Sequence, residues 1–219
     1  MKNECEQCGT CCERGGPALH REDITLVERG VLAIDDLVAV RQGEIVIMPE
    51  SGKPEATEVE LIKIQGKKGA WSCRFLHPSE RTCSIYEDRP VSCRLLKCWD
   101  PEDVLAITGK KLLNRSDLVA DDDPLLPLIT LYDQQFTLPD MIEVKVQLAS
   151  EEHRDHTVKE LERMVRNDLL FRSLATERFA IPVSRELFYF GRPLFQLLLP
   201  LGLEVKETSD DIQLYYSEA

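Results

Sequence analysis

Apolar residues first recur at helical spacing in "HREDITLVERG", where Ile24, Val27 and Val31 share a face and Gly30 supplies a stop. "AIDDLVAVRQG" repeats that spacing with Ile34, Leu37 and Val38, predicting a second helix that ends near Gly43. The period then changes. "EIVIMPE" and "EVELIKI" alternate and are β-branched, so they predict strands, with turn chemistry in the intervening "ESGKPE". "AWSCRFLH" and "RTCSIYE" predict two further short strands. "RPVSCRLLKCW" predicts a helix with Pro90 in its first turn.

Beyond Pro101 the pattern is mostly helical. "PEDVLAITG" and "RSDLVA" are short candidates, and another helix begins at Asp123–Pro124 with Leu125, Leu128, Ile129 and Tyr132 apolar. The clearest helix runs from about His156 to Arg178, striped by Val158, Leu161, Val165 and Leu169. "RPLFQLLLPLG" is apolar all round and predicts a buried segment, and "LEVKET" with "IQLYYSE" predicts a closing hairpin. These elements predict an α+β, mostly helical fold. Residues 1–100 form an irregular cysteine-rich module with a few short antiparallel strands. Residues 101–219 form a helical C-terminal region able to share the same fold.

Composition and charge narrow the class. With 219 residues, 43% hydrophobic and 30% charged, the chain suits a globular protein with its own core. No apolar run approaches membrane-spanning length and the polar N-terminus lacks a signal-like apolar stretch, so a cytoplasmic, reducing setting without membrane contact is expected. Residues 1–100 hold 14 Lys and Arg against 17 Asp and Glu, whereas residues 101–219 hold 13 against 22. A net charge of −12 repels phosphate backbones and argues against generic nucleic-acid binding.

The cysteines carry the chemistry. All eight lie between Cys5 and Cys98, in the order C-x2-C-x2-C-C (Cys5, Cys8, Cys11, Cys12), then Cys73, Cys83, Cys93 and Cys98. Structural disulfides are rare in a reducing compartment, which leaves metal ligation as the reading and scattered buried thiols as the plain alternative. A C-x-x-C turn sets two sulfurs on one side of a tight loop, and Gly9 can take the positive φ such a loop needs. Three thiols at x2 spacing are similar to the first ligands of a bacterial ferredoxin cluster. No fourth Cys-Pro follows at x3, so a ligand from the distant set is required. A [4Fe–4S] cluster is therefore favoured, with zinc as the other candidate and one or two centres allowed by eight thiols. Adjacent side chains on extended backbone point apart, so Cys11 and Cys12 are expected to serve different destinations. On one continuous helix Cys93 and Cys98 differ by about 140° in direction, so they share a centre only where the helix ends before Cys98.

"CEQCGTCC" and "CRFLHPSERTCSIYEDRPVSCRLLKC", with the spacing between them, resemble the CxxCxxCC or YkgJ-type proteins, described as zinc- or iron-chelating. The resemblance covers residues 4–98 and implies metal binding. Flagellin lysine methylases carry a similar cluster, so it also implies a conceivable link to modification chemistry. The C-terminal half carries no motif matched to that family.

Other residues carry weaker signals. His20 and His77 lie near the cysteines but are expected to be hydrogen-bonded or superficial, and His153 and His156 are expected on a solvated helix start. Trp71 and Trp99 flank Cys73 and Cys98, where they either shield a centre or simply pack. Arg89 and Arg94 either offset thiolate charge or form structural ion pairs. "IYEDRP" is expected to be a turn that leads into the helix presenting Cys93. No nucleophile elbow, P-loop, H-E-x-x-H, G-x-G-x-x-G or C-x-x-C-H is present. The function expected is a cysteine-ligated metal protein with a redox, sensing or structural role. The alternatives are an enzyme that uses its centre on a protein partner, and a purely structural zinc module that mediates an interaction.

Overall fold

The computed structural model describes residues 4–67, 70–207 and 212–217. The chain opens with α1 (Thr10–Glu13) and α2 (Ile24–Glu28), the latter preceded by a single 3₁₀ turn over Arg21–Asp23. Strand β1 (Leu37–Val40) follows, then β2 (Ile45–Ile47), β3 (Pro54–Ala56) and β4 (Leu61–Ile64). β1 pairs antiparallel with β4 from Leu37↔Ile64 to Val40↔Leu61, and the β2–β3 hairpin sits in the connection between them. The sequence expectation of a helix through Leu37 and Val38 is therefore overturned: only Ile34–Asp36 makes a 3₁₀ turn. A short apolar run fits both periods, and pairing with distant β4, whose Ile62 and Ile64 are buried, selects the strand. β3 lies where only a turn was expected; Gly52, at φ 66, makes the turn and Pro54 begins the strand.

The segments around Cys73 and Cys83 are not regular strands. They form only isolated antiparallel bridges, Gly66↔Cys73 and Leu76↔Cys83. α3 (Val91–Leu95) and α4 (Glu102–Ile107) follow, with Pro90 immediately ahead of α3 rather than within it. The C-terminal half is helical as expected: α5 (Leu126–Gln135), α6 (Met141–Ala149), α7 (Glu151–Phe179), α8 (Val183–Phe190) and α9 (Leu194–Leu198). β5 (Leu203–Glu207) and β6 (Ile212–Tyr216) pair antiparallel as the closing hairpin. α7 begins earlier than expected, at Glu151, and α6 and α8 lie where no element was assigned. α6 is started by Asp140, whose carboxylate accepts from the Ile142 and Glu143 amides at 2.8 and 3.1 Å.

Two apolar cores organise the molecule. The first joins Leu19, Leu37, Ala39, Ile62 and Ile64 to Ile129, Tyr132, Phe188 and Phe190, so the cysteine-bearing half and the helical half are packed together. Its centre is aromatic, with the Tyr132 ring 5.0 Å from Phe136 and 4.9 Å from Phe190. The second core is built by α6, α7, α9 and the β5–β6 hairpin around Leu148, Leu161, Val165, Leu198 and Leu203. α7 spans both, since Leu161 and Val165 face the second while Ala175 faces the first.

Candidate metal centre

Three chain segments build the cysteine region. The first is the loop through Cys5 and Cys8 that enters α1 at Gly9, where φ is 76. A Cβ at Gly9 would lie 2.4 Å from the Arg81 carbonyl oxygen, so only glycine permits this approach of the first loop to the second segment. Arg81 then clamps the two, donating to the Cys8 carbonyl at 3.3 Å and pairing with Glu13 at 2.8 Å. The Cys73 amide donates to the Cys12 carbonyl at 2.6 Å. The second segment folds back through the 73–84 loop, closed by His77 N–H to Thr82 O at 2.7 Å and Ser84 N–H to Phe75 O at 2.8 Å, with Cys73 and Cys83 on its two sides.

The third segment presents Cys93. As the sequence suggests, "IYEDRP" is a turn, closed by the Asp88 amide on the Ile85 carbonyl at 3.0 Å, and it feeds α3. What fixes α3 was not read from sequence. Asp23, 1% exposed, accepts the Val91 amide at 2.8 Å and the His20 amide at 2.9 Å. The His20 ring bonds the Lys110 carbonyl at 2.9 Å through Nδ1 and the Ser92 hydroxyl at 2.9 Å through Nε2. Both ring nitrogens are engaged, so His20 is a brace rather than a ligand. The only local sign of this arrangement is the His20-x-x-Asp23 spacing of a capping box. An Asp23→Ala substitution leaves two buried amides unsatisfied and is expected to cost about 2–4 kcal/mol, read as a lowered unfolding midpoint in denaturant.

The thiols divide by environment. Cys73 is buried, Cys12, Cys83 and Cys93 are half-buried, and Cys5, Cys8, Cys11 and Cys98 are exposed. Cys11 and Cys12 were expected to diverge as on extended backbone. They lie instead within α1, and their sulfurs are 3.9 Å apart. They share one hydrogen bond, so the Cys12 thiol stabilises the Cys11 thiolate and lowers the Cys11 pKa to about 6, whereas the same bond raises that of Cys12. Burial pushes Cys93 up to about 12, and the charges of Cys73, Cys11 and Cys83 add to the shift. Burial also raises Cys73 and Cys83, each of which feels Cys11. The charges of Cys11, Cys73 and Cys83 thus raise both Cys12 and Cys93.

Arg89 is the cation that acts on Cys11, Cys83 and Cys93 alike. Its guanidinium lies 3.5 Å over the Tyr86 ring and favours the thiolate forms of Cys11, Cys83 and Cys93. Its Nε is buried and has no hydrogen-bond partner among the described residues. Tyr86 shares a hydrogen bond with Cys5, which raises the phenol and sets Cys5 at the edge of the same cluster. Cys8 bonds Thr10 at 3.3 Å, and Cys98 lies beyond the end of α3, in the exposed loop closed by the Lys97↔Asp100 bridge.

These residues fit a thiophilic metal: soft donors half-removed from water, and an unsatisfied guanidinium N–H beside them that thiolate charge would satisfy. Among the described residues, no three His, Cys, Asp or Glu side chains are already drawn together closely enough to hold an ion. Trp71 is 75% exposed and so does not enclose the site, and Arg192 lies 5.7 Å over its ring. His77 bonds within its own loop, to Ser79 and the Glu80 amide. His153 caps toward Ser150 at 3.0 Å, and His156 faces solvent beside Glu160.

A family model described as "CxxCxxCC: putative zinc- or iron-chelating domain" matches residues 4–114. No curated protein and no solved structure matches the chain.

Proposed function

The chain belongs to the CxxCxxCC family of zinc- or iron-chelating domains, and from that premise we propose that it holds one solvent-reached, cysteine-ligated centre with a redox or sensing role. The observation that carries this reading is the convergence of the cysteine segments: the Cys11 and Cys12 sulfurs lie 3.9 Å apart, the Cys73 amide donates to the Cys12 carbonyl at 2.6 Å, and the buried Arg89 Nε has no hydrogen-bond partner among the described residues. In this reading Cys73, Cys83 and Cys93 supply donors from the second and third segments, and the Cys11–Cys12 pair closes the set from α1. Cys5, Cys8 and Cys98 stand outside as exposed thiols. An iron–sulfur cluster held there supplies one-electron chemistry, whereas zinc supplies charge and rigidity. Arg89 offsets thiolate charge, and Asp23 with His20 keeps α3 in place. Exposed sulfurs on the rim support access by a protein partner rather than a sealed structural role.

The test is anaerobic purification with metal and acid-labile sulfide analysis of the parent, Cys93→Ser, Cys11→Ser and Cys12→Ser. The parent is expected to hold iron with matching sulfide, and Cys93→Ser to lose it. Because the Cys11 and Cys12 sulfurs are 3.9 Å apart, their two serine variants are expected to lose metal to similar extents. A parent that binds neither iron nor zinc in near-stoichiometric amount defeats the proposal. Loss in one serine variant with full occupancy in the other defeats the single-centre arrangement.

A further inference from the structure

A second place in the fold gathers chemistry that the cysteine centre does not use. A cavity of about 210 Å³ opens between the C-terminal end of α5 and the middle of α7. Its inner wall is apolar, contributed by Phe136, Leu138, Met164 and Leu194. Asp168 also lines it, but that carboxylate is already spent: Oδ1 accepts from Tyr132 and Arg172 at 2.6 and 2.8 Å, and Oδ2 accepts the Leu194 amide at 2.9 Å. The unspent groups are donors. The side chains of Arg163, Gln135 and Asn167 line the cavity and make no hydrogen bond or ion pair among the described residues.

Arg41 completes the lining and is preorganised. It is 6% exposed, its guanidinium lies 4.9 Å over the Tyr132 ring, and one terminal nitrogen donates to the Phe136 carbonyl. Its nearest carboxylate is loosely placed, with Nε 3.8 Å from Asp133 Oδ1. Gly191 leaves room for the arginine stem, since a Cβ there would come within 2.9 Å of Arg41 Cδ. Two guanidinium groups and two side-chain amides thus surround an apolar floor, and Asp168, whose oxygens are taken up by other donors, is the carboxylate in the lining.

We propose that this cavity binds a small organic monocarboxylate, its carboxylate held by Arg41 and Arg163 and its apolar body against Phe136, Leu138, Met164 and Leu194. Guanidinium groups match carboxylates in geometry as well as charge. The spent state of Asp168 leaves no carboxylate for an ammonium group, which disfavours amino acids. The volume is below that of most drug-sized sites and suits a ligand of about ten non-hydrogen atoms.

The test titrates the metal-loaded 219-residue chain with benzoate, hexanoate, benzyl alcohol and inorganic phosphate by ligand-observed NMR. Benzoate or hexanoate is expected to saturate in the millimolar range or below, with benzyl alcohol and phosphate weaker by about tenfold or more. Arg163 is exposed, so Arg163→Ala should fold normally and retain its metal while weakening carboxylate binding by about tenfold or more. Arg163→Lys should recover part of that loss. The proposal is overturned by the absence of saturable carboxylate binding, by equal binding of benzyl alcohol or of phosphate, or by unchanged affinity in Arg163→Ala. Because metal content is measured alongside, failure here is separable from failure at the cysteine centre.

Discussion

Stripping the metal is expected to open the cysteine-bearing segments to protease by about tenfold or more in cleavage rate, while β1, β4 and the helical half stay protected. The reason lies in what else holds each part. Gly66 and the chain from Ala70 to Cys83 are tied by isolated bridges and single hydrogen bonds, and α1 and α3 are helices of four and five residues. Helices that short are not stable by themselves, so their order must come from tertiary ties or from a ligand. Without a cation, burial and mutual repulsion oppose ionising the thiols, as the raised values of Cys73, Cys83 and Cys93 record. A bound structural metal contributes on the order of 10 kcal/mol to such a site. By contrast, Leu37, Ala39, Ile62 and Ile64 sit in an apolar core completed by Phe188 and Phe190, to which Cys73 adds a buried side chain but which rests mainly on aliphatic and aromatic packing. Arg74, Arg81 and Arg94 offer trypsin sites within the region expected to loosen. Limited trypsinolysis with mass mapping, before and after verified chelation, reads the outcome. Cleavage spread evenly over the chain would show that the whole fold depends on the metal. An unchanged pattern would show that the bridges suffice.

The fold class and the family were legible in the sequence, whereas the contacts that shape the cysteine region were not, for a physical reason. Metal-binding chemistry is carried by residue type and short spacing, and "CEQCGTCC" and "CSIYEDRPVSCR" show both directly. The supports of the site act over long separations. Asp23 reaches Val91 across 68 residues and His20 reaches Ser92 across 72, and nothing local to either pair announces the contact. The same distinction explains the elements. α7 was legible because a stripe through Leu161 and Val165 needs only its own period. β1 was misread as helix because Leu37, Val38, Ala39 and Val40 satisfy both periods until β4 arrives from 21 residues downstream of Val40. Cys11 and Cys12 were expected to diverge because extended backbone was assumed. The left-handed Gly9 starts a helical turn instead and brings their sulfurs to 3.9 Å.

The most costly single substitution outside the cysteines is expected to be Arg172→Ala. Arg172 is 2% exposed on α7, and its guanidinium is shared among several elements. Nε donates to Asp168 on its own helix at 2.8 Å. One terminal nitrogen donates to Glu186 and to the Gly191 carbonyl, both at 3.0 Å, and the other donates to the Phe190 carbonyl at 2.9 Å and to the Tyr132 hydroxyl. The cation also lies 5.1 Å over the Tyr132 ring and 5.7 Å over Phe190. Alanine therefore removes the partner of one fully buried and one half-buried carboxylate, and of two carbonyls that terminate α8, and leaves a void among aromatic rings. Breaking a buried ion pair from one side costs about 3–5 kcal/mol, because the surviving charge stays desolvated. That is a large share of the roughly 5–15 kcal/mol that holds a typical domain together. In a chain of this length the loss corresponds to a fall in melting midpoint of about 10 °C. Arg172→Lys keeps the charge but loses the planar fork, and one ammonium cannot reach acceptors placed around it on α5, α7 and α8 at once, so it is expected to fall between parent and alanine. Thermal unfolding of the three proteins, each at matched metal content, gives the order. An alanine variant within about 1 kcal/mol of the parent would show that Asp168 is held well enough by Tyr132 and the Leu194 amide, and that the arginine is dispensable to the fold.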